Sequence, residues 1–182
     1  MSNASMKNAK LYTPAIQKKL SQIKCILLDC DGVLTDGKVF WVKDSGWTRV
    51  FSVKDGYGIR MALKNGFEVG ILTGASSQDV LERASLLGVK HVYSGSEDKI
   101  LGFNAVLRET GFKAKEILYI GDEYFDIPVL KEVGFSATVP HAQDSVKKAC
   151  HVVTKNQGGD GAVREVIEAL FKAHKIKEPH AK

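Results

Sequence analysis

Residues 23–37 read IKCILLDCDGVLTDG and indicate the fold of this chain more clearly than any other stretch. Five of the first six residues are apolar, and the run ends in Asp29 and Asp31. A short apolar run of this kind favours a strand that is buried on both faces. We therefore expect one carboxylate at the tip of a buried strand and a second on the loop after it. The pattern is weak by itself, because Asp-Gly also marks ordinary turns.

Strand and helix signals alternate over the rest of the chain. Predicted strands cover residues 68–72, 91–93, 117–120, 135–139 and 151–154. Predicted helices cover residues 55–65, 76–87, 98–110, 127–133, 144–149 and 161–173. The second of these helices opens with SSQD, which resembles a capping box. Repeated βα units predict an α/β fold of the Rossmann-like, three-layer α/β/α type with a mostly parallel sheet.

The segment after the first strand is short and leaves room for little besides a small flap. Residues 38–42 and 48–53 are rich in β-forming side chains and flank the turn sequence KDSG, which predicts a β-hairpin. The hairpin and one helix use all of the residues before the second strand. The sequence therefore predicts a fold with no large cap domain.

The composition is that of a globular domain. The 182 residues suit one hydrophobic core, and the longest apolar runs fall far below the length of a membrane span. We expect residues 1–19 to be an N-terminal tag with a disordered or helical lead, and residues 20–174 to form the domain. Residues 175–182 are expected to be a flexible basic tail.

The net charge of +5 arises at the ends of the chain. Residues 23–168 contain 18 Lys and Arg against 20 Asp and Glu, whereas the two ends hold 8 basic residues and 1 acidic residue. This distribution predicts no specific binding to nucleic acid, and the short apolar runs predict no membrane partner. Three cysteines without a CxxC pair are typical of reduced thiols and predict a cytoplasmic protein.

Polar side chains recur after the later strands, where parallel α/β sheets bind their ligands. Thr73 and Gly74 follow the second strand and are suited to contact with a phosphate. Lys99 stands at the start of a helix, where the helix dipole does not favour a lysine. Asp122 and Asp126 follow the strand over residues 117–120. Carboxylates grouped in this way are ligands for Mg²⁺, so the set predicts one phosphoryl-transfer site.

The same set resembles the four motifs of the haloacid dehalogenase superfamily of aspartate-nucleophile phosphatases, over about residues 20–170. The resemblance rests on Asp29-x-Asp31, Thr73, Lys99 and Asp122-x-x-x-Asp126.

The resemblance implies a role for each position. Asp29 would be the nucleophile and Asp31 the general acid and base. Mg²⁺ would be held by Asp29, the main-chain carbonyl of Asp31 and Asp122. Thr73, with Gly74, and Lys99 would hold the phosphoryl oxygens. Asp126 would support the lysine or the metal shell.

Within the superfamily, the chain resembles the 3-deoxy-D-manno-octulosonate 8-phosphate phosphatases at TDG (35–37), FSVKDGYGIR (51–60) and GGDGAVREV (158–166). This resemblance implies that a sugar-acid phosphate is hydrolysed in lipopolysaccharide sugar synthesis. Two positions depart from the pattern of relatives. Ala75 stands where many have Arg or Lys, so a substrate-carboxylate contact is missing or supplied elsewhere. Glu123 stands where Asp is commoner, which leaves its part in metal binding open.

Three features of these motifs leave alternatives open. Arg60 and Arg164 are candidates for binding a substrate carboxylate, which for Arg164 could be the one bound by a neighbouring subunit, and an exposed helix arginine is the simpler interpretation of Arg60. The glycines of residues 158–161 either cradle a phosphate or form a loop that enters the last helix.

The absence of a cap domain bears on assembly, because a site without a lid stays open to water. The resembling family implies a homo-oligomer, a tetramer, in which another subunit closes the site. Phe40, Trp41 and Trp47 on the hairpin would pack between subunits or, alternatively, in an ordinary core. Two other functions are kept open: a phosphatase of a nine-carbon sugar-acid phosphate or other small phosphoester, and a non-catalytic binding subunit with the same fold.

Overall fold

Residues 11–177, the part of the chain that this computed structural model describes, form a six-stranded parallel sheet between two layers of helices, with a separate two-stranded hairpin. The strands are β1 (Cys25–Leu28), β2 (Phe40–Val42), β3 (Gly46–Thr48), β4 (Glu68–Leu72), β5 (His91–Tyr93), β6 (Ile117–Ile120), β7 (Phe135–Thr138) and β8 (Val152–Val153). The helices are α1 (Pro14–Leu20), α2 (Val53–Lys64), α3 (Gln78–Leu87), α4 (Lys99–Thr110), α5 (Ile127–Glu132), α6 (Asp144–Ala149) and α7 (Ala162–Ala173).

The predicted three-layer α/β/α architecture is confirmed. The sheet order is β5-β4-β1-β6-β7-β8, and every pair in it is parallel. Alternate residues of β1 point to opposite layers: Ile26 and Leu28 pack with α2, α3 and α7, whereas Cys25 and Leu27 pack with α4, α5 and α6. Such a strand is buried on both faces, which explains why its sequence is almost continuously apolar.

The hairpin is confirmed, but its second arm differs from the prediction. The strand covers Gly46–Thr48 instead of residues 48–53, so it begins within the predicted turn and ends five residues early. Arg49 turns away because its side chain forms ion pairs with Asp31 and Asp79. Ser52 then caps α2, which begins two residues earlier than predicted, by accepting a hydrogen bond from the Asp55 N–H.

The predicted capping box at the start of α3 is wrong. Ser77 occupies the N-cap position, but its side chain makes no capping hydrogen bond. The Ser77 hydroxyl instead accepts a hydrogen bond from Arg49, whereas Asp79 pairs with Arg49 and also accepts the Val80 N–H in the first turn of the helix. For Ser77, a long-range partner has replaced the local one.

The stretch VKDGYGIR, residues 53–60, joins α2 to α7. The buried Asp55 carboxylate accepts hydrogen bonds from the main-chain N–H groups of Gly161 (3.0 Å) and Arg164 (2.8 Å), at the start of α7. These groups have no partner within their own helix. At Gly58, a Cβ would lie 3.0 Å from the Arg164 side chain, so glycine permits the close approach of the two helices.

The described ends of the chain also contact the core. The Leu20 side chain of α1 is fully buried, and the Gln17 side-chain amide donates to the Ala169 carbonyl of α7. Residues 1–10 and 178–182, which include most of the predicted tag and of the predicted basic tail, lie outside the described residues. Within residues 11–177, none of the helices combines the length and the apolar character that crossing a bilayer requires.

Candidate active site

Asp29 lies at the carboxyl end of the central strand. Its main-chain N–H donates to the Ile120 carbonyl on β6 (2.9 Å), which continues the ladder of the sheet one residue past β1. The residue is only 2 % exposed. Burial, followed by the negative charge of Asp126, raises the pKa of the Asp29 carboxyl well above its ordinary value. An ionised Asp29 therefore depends on nearby cations.

Lys99 is the nearest such cation and is itself buried. Its Nζ lies 2.5 Å from Asp29 Oδ1, 2.7 Å from the Leu72 carbonyl and 3.6 Å from Asp126 Oδ1. The Nζ also lies 4.8 Å from the ring centroid of Phe125. A lysine at the first position of a helix is explained here, because α4 starts at the sheet edge and directs the ammonium toward the acids of β1 and β6.

Asp126 orders the loop that follows β6. Its Oδ2 accepts hydrogen bonds from the main-chain N–H groups of Asp122 (2.9 Å) and Glu123 (3.0 Å), and its Oδ1 accepts one from the Tyr119 hydroxyl (2.5 Å). Asp126 is fully buried, so these bonds offset the loss of its hydration. Gly121 leaves the necessary space, since a Cβ there would lie 2.6 Å from the Asp126 carboxyl carbon.

Asp122 carries a buried oxygen that has no hydrogen-bond partner among residues 11–177. Its Oδ1 is inaccessible to solvent and accepts no hydrogen bond, whereas Oδ2 lies 3.3 Å from His141 Nε2. Burial, followed by the charge of Asp126, raises the pKa of Asp122 to about 6. A buried carboxylate oxygen without a hydrogen bond destabilises the folded chain, so this atom indicates that the site binds a cation or another ligand there.

These residues fit a divalent cation. Asp29, Asp122 and Asp126 can each offer one oxygen such that all three lie within 4.8 Å of one another. Hard cations such as Mg²⁺ take oxygen ligands of this kind, and a cation would offset the burial and the neighbouring negative charge that raise the pKa values of Asp29 and Asp122. Asp126 already uses both oxygens in hydrogen bonds, so Asp29 and Asp122 are the better candidates. The assignment of the Asp31 main-chain carbonyl to the metal stays a prediction.

Thr73 reaches the same edge of the sheet. It is buried, its main-chain N–H donates to the Tyr93 carbonyl (2.9 Å), and its hydroxyl oxygen accepts a hydrogen bond from the Ala75 N–H (3.1 Å). The hydroxyl thus stands in the first turn after β4, next to Gly74. Register brings Asp29 and Thr73 to the same edge, since Leu28 pairs with Ile71 in the parallel ladder.

Asp31 has a partner that the sequence did not reveal. Arg49 donates to both of its oxygens, from Nε to Oδ1 (2.5 Å) and from Nη2 to Oδ2 (3.0 Å). Because Arg49 comes from the end of the hairpin, not from a strand of the main sheet, no rule about strand ends could have found it. His141 was missed as well, although it follows β7 and could have been found by that rule.

The glycine-rich segment 158–161 supports the nucleophile loop. A Cβ at Gly158 would lie 1.7 Å from the Gly32 carbonyl oxygen, so the two main chains are in direct contact. The Gly159 N–H donates to the Val33 carbonyl (3.0 Å). Close packing of the two main chains accounts for these glycines, and no bound phosphate is needed to explain them. This agrees with the interpretation of the segment as a loop that enters the last helix.

No contact among residues 11–177 brings Arg60 or Arg164 to the Asp29 cluster. The Arg164 guanidinium pairs with Glu168 (2.8 Å) and lies 5.2 Å from the ring centroid of Tyr57. Arg60 is exposed on α2 and, together with Val53, lines a pocket on the surface. Their predicted contact with a substrate carboxylate therefore finds no support within one chain.

Comparison with known proteins is consistent with this geometry. The haloacid dehalogenase-like hydrolase family matches residues 87–167. The chain is 36 % identical, over 95 % of its length and 94 % of the relative, to 3-deoxy-D-manno-octulosonate 8-phosphate phosphatase of Escherichia coli strain B.

Two solved structures of such phosphatases are similar throughout. The enzyme of Yersinia pestis superposes with a TM-score of 0.87 at 32 % identity, covering 90 % of this chain and 88 % of that one. The enzyme of Moraxella catarrhalis, solved with magnesium, phosphate and a KDO molecule, also gives 0.87, at 33 % identity, covering 90 % and 94 %.

Proposed function

Because the chain belongs to the 3-deoxy-D-manno-octulosonate 8-phosphate phosphatases, a family of haloacid dehalogenase-like hydrolases, we propose that it hydrolyses this sugar-acid phosphate to the free sugar acid and phosphate. The observation that carries the proposal is the buried Asp29, which pairs with the Lys99 ammonium and has an oxygen within 4.8 Å of one from Asp122, a residue whose Oδ1 has no hydrogen-bond partner among residues 11–177. A nucleophile that pairs with a cation and lies near a carboxylate able to bind a divalent metal is suited to a phosphate monoester. We assign the reaction to lipopolysaccharide sugar synthesis.

The first step transfers the phosphoryl group to Asp29. A carboxylate oxygen of Asp29 attacks phosphorus, and the bond between phosphorus and the sugar oxygen breaks. Asp31 gives its proton to that departing oxygen, because an alkoxide is a poor leaving group. Proton transfer of this kind contributes on the order of 10²–10⁴-fold to the rate.

The second step releases phosphate. Asp31 removes a proton from water, the water oxygen attacks phosphorus, and the bond to Asp29 breaks. Lys99 and Thr73 hold the phosphoryl oxygens, whose charge shifts during both transfers. Mg²⁺, when bound by Asp29 and Asp122, neutralises phosphate charge and so lets an anionic nucleophile approach.

A substrate panel tests the proposal. We expect phosphate release from the eight-carbon acid phosphate to depend on Mg²⁺ and to exceed release from a nine-carbon acid phosphate at equal concentration. Ala75 is the specific reason to include the nine-carbon compound, since a basic residue for the substrate carboxylate is absent there. A preference for the nine-carbon substrate would favour the alternative, and no turnover of either would favour a non-catalytic subunit.

The metal site has a test that does not require activity. Mg²⁺ that binds only the folded chain should stabilise it by about 2.7 kcal/mol at a concentration 100 times its Kd. We expect thermal unfolding in EDTA to shift upward when Mg²⁺ is in excess, and Asp122→Asn to lose most of the shift. Asp144→Asn, which changes an exposed aspartate on α6, should keep it. An equal shift in both variants would argue against Asp122 as a ligand.

We also propose that the enzyme is a homo-oligomer, a tetramer, in which the hairpin contributes to the interface. Trp41 and Trp47 pair across the two strands with ring centroids 5.5 Å apart, yet they are 64 % and 58 % exposed. Packing of these rings in the core of their own chain, the alternative left open by the sequence, is therefore wrong. Exposed aromatic groups of this size favour a partner surface.

Sedimentation at micromolar concentration checks the assembly. The double variant Trp41→Ser/Trp47→Ser should dissociate to smaller species and lose activity on the sugar phosphate. Leu86→Ser removes an exposed leucine on α3 and should leave the assembly intact. A monomeric wild-type protein with full activity would contradict the proposal.

We place the enzyme in the cytoplasm. Cys25, Cys30 and Cys150 are all free thiols, which suits a reducing compartment.

A further inference from the structure

Arg49 is the most heavily engaged cation near the active site, apart from Lys99. Its side chain is only 7 % exposed, although it follows the exposed hairpin by a single residue. One side of the guanidinium donates two parallel hydrogen bonds to the Asp31 carboxylate. A two-point contact of this kind fixes the orientation of a carboxylate, whereas a single contact leaves rotation free.

The other side of Arg49 is anchored to the start of α3. Nη1 donates to the Ser77 hydroxyl (2.8 Å) and to Asp79 Oδ1 (3.3 Å). The main-chain N–H of Arg49 donates to Asp79 Oδ2 (2.9 Å). Arg49 is thus held from both its main chain and its side chain by contacts that do not involve Asp31.

Asp31 depends on Arg49 to a greater degree. Among the hydrogen bonds and ion pairs of residues 11–177, both oxygens of Asp31 pair with Arg49 and with no other side chain. The Asp31 side chain is 39 % exposed, so surrounding atoms restrict it little. Without Arg49, this carboxylate would sample several rotamers in solvent.

We propose that Arg49 is the positioning residue for Asp31, which it holds in the orientation required for proton transfer to the departing oxygen. The inference rests on the function proposed above, because it presupposes that Asp31 is the acid and base. Arg49 does not react, and its effect is to keep one carboxylate aimed at the phosphate site. Ser77 and Asp79 act one contact further away, by holding Arg49.

The dependence of kcat/KM on the leaving group distinguishes a positioning role of Arg49 from a purely structural one. An alkyl phosphate needs a proton on its departing oxygen, whereas p-nitrophenyl phosphate releases a stable anion and needs none. The parameter kcat/KM reports steps up to the first irreversible one, here the formation of the aspartyl-phosphate. A misplaced Asp31 should therefore lower kcat/KM for the alkyl substrate alone.

The experiment compares the holoenzyme with Arg49→Lys, which keeps the charge and loses the two-point contact. We expect kcat/KM for the sugar-acid phosphate to fall by about 10–100-fold, a part of the full contribution of an acid, and kcat/KM for p-nitrophenyl phosphate to fall less than about 3-fold. Asp79→Asn, which loosens the anchor, should change the ratio in the same direction by a smaller factor. Arg83 lies on the same helix as Asp79 and donates a hydrogen bond to the Ser52 carbonyl. The control Arg83→Lys, which loses this hydrogen bond, should leave the ratio unchanged.

Equal losses on both substrates, or no loss on either, would overturn the proposal. Should Arg49→Lys fail to fold, the ratio measured for Asp79→Asn decides alone, and an unchanged ratio there counts against it. A wild-type enzyme that hydrolyses no sugar-acid phosphate would instead refute the function on which the inference rests.

Discussion

Asp29→Asn should abolish turnover while the fold is retained. The side-chain amide of the variant cannot replace the carboxylate that forms the aspartyl-phosphate. Phosphate release should therefore fall by at least about 10⁴-fold, as when other covalent nucleophiles are removed. The free energy of unfolding should fall by no more than about 1 kcal/mol, because the change removes a buried charge next to Asp126 and leaves Lys99 its other partners. Steady-state phosphate assays and urea unfolding check the two parts.

The control for this variant is Asp144→Asn, an exposed aspartate outside the site, which should keep full activity. Mass spectrometry of acid-quenched wild-type enzyme should locate phosphate on Asp29. Near-normal turnover by Asp29→Asn, or phosphate on another residue, would overturn the assignment of the nucleophile.

Lys99→Met should damage both stability and activity. The change leaves the carboxylates of Asp29 and Asp126 buried without their cation, and breaking a buried ion pair from one side costs about 3–5 kcal/mol. Turnover should fall by about 10²–10³-fold, because the phosphoryl oxygens lose a donor in the transition state. Urea unfolding in EDTA and phosphate assays in Mg²⁺ measure the two effects.

The stability deficit of Lys99→Met should depend on pH in a defined direction. Lys99 is the neighbour that lowers the pKa of Asp29, so without it the folded-state pKa rises further above the unfolded value. The folded chain then binds a proton that the unfolded chain has released, and stability is lost as pH rises. The deficit relative to wild type should therefore be larger at pH 8 than at pH 5.

Lys24→Met provides the matched control. Lys24 pairs with Glu116 at 2.7 Å but is 57 % exposed and precedes β1, at the end of the strand opposite Asp29. Its loss should cost less than about 1 kcal/mol and leave activity unchanged. A Lys99→Met protein as stable as this control at pH 8 would contradict the electrostatic account of the site.

The main elements of the fold could be predicted because their signals are local. Continuous apolar runs marked the buried strands, and glycines marked the ends of helices such as α3 and α4. The predictions failed where a distant residue competed with local preference. Arg49 ended the second arm of the hairpin early, and it also pairs with the Ser77 side chain, which makes no capping hydrogen bond to α3.

The candidate site could be predicted to a similar extent. Asp29, Thr73, Lys99 and Asp122 come together because parallel strands end at one edge of a sheet, a consequence of topology that a sequence with alternating elements already contains. Arg60 and Arg164 were placed by motif alone, and the structure engages Arg164 with Glu168 and Tyr57. A match to a motif indicates that a residue is important, but it does not show whether that residue stabilises the fold or binds the substrate.

The sequence by itself determined the order of strands and helices, the acids at the strand ends and the lack of room for a cap domain, because each depends on neighbouring residues or on length. Only the tertiary structure decided which charges meet. Burial of Lys99 against Asp29, the unpartnered oxygen of Asp122 and the two-point contact between Arg49 and Asp31 depend on distances between segments far apart in the chain. The strength of such contacts changes steeply with separation and with exposure to water, and neither quantity can be read from a residue's neighbours in sequence.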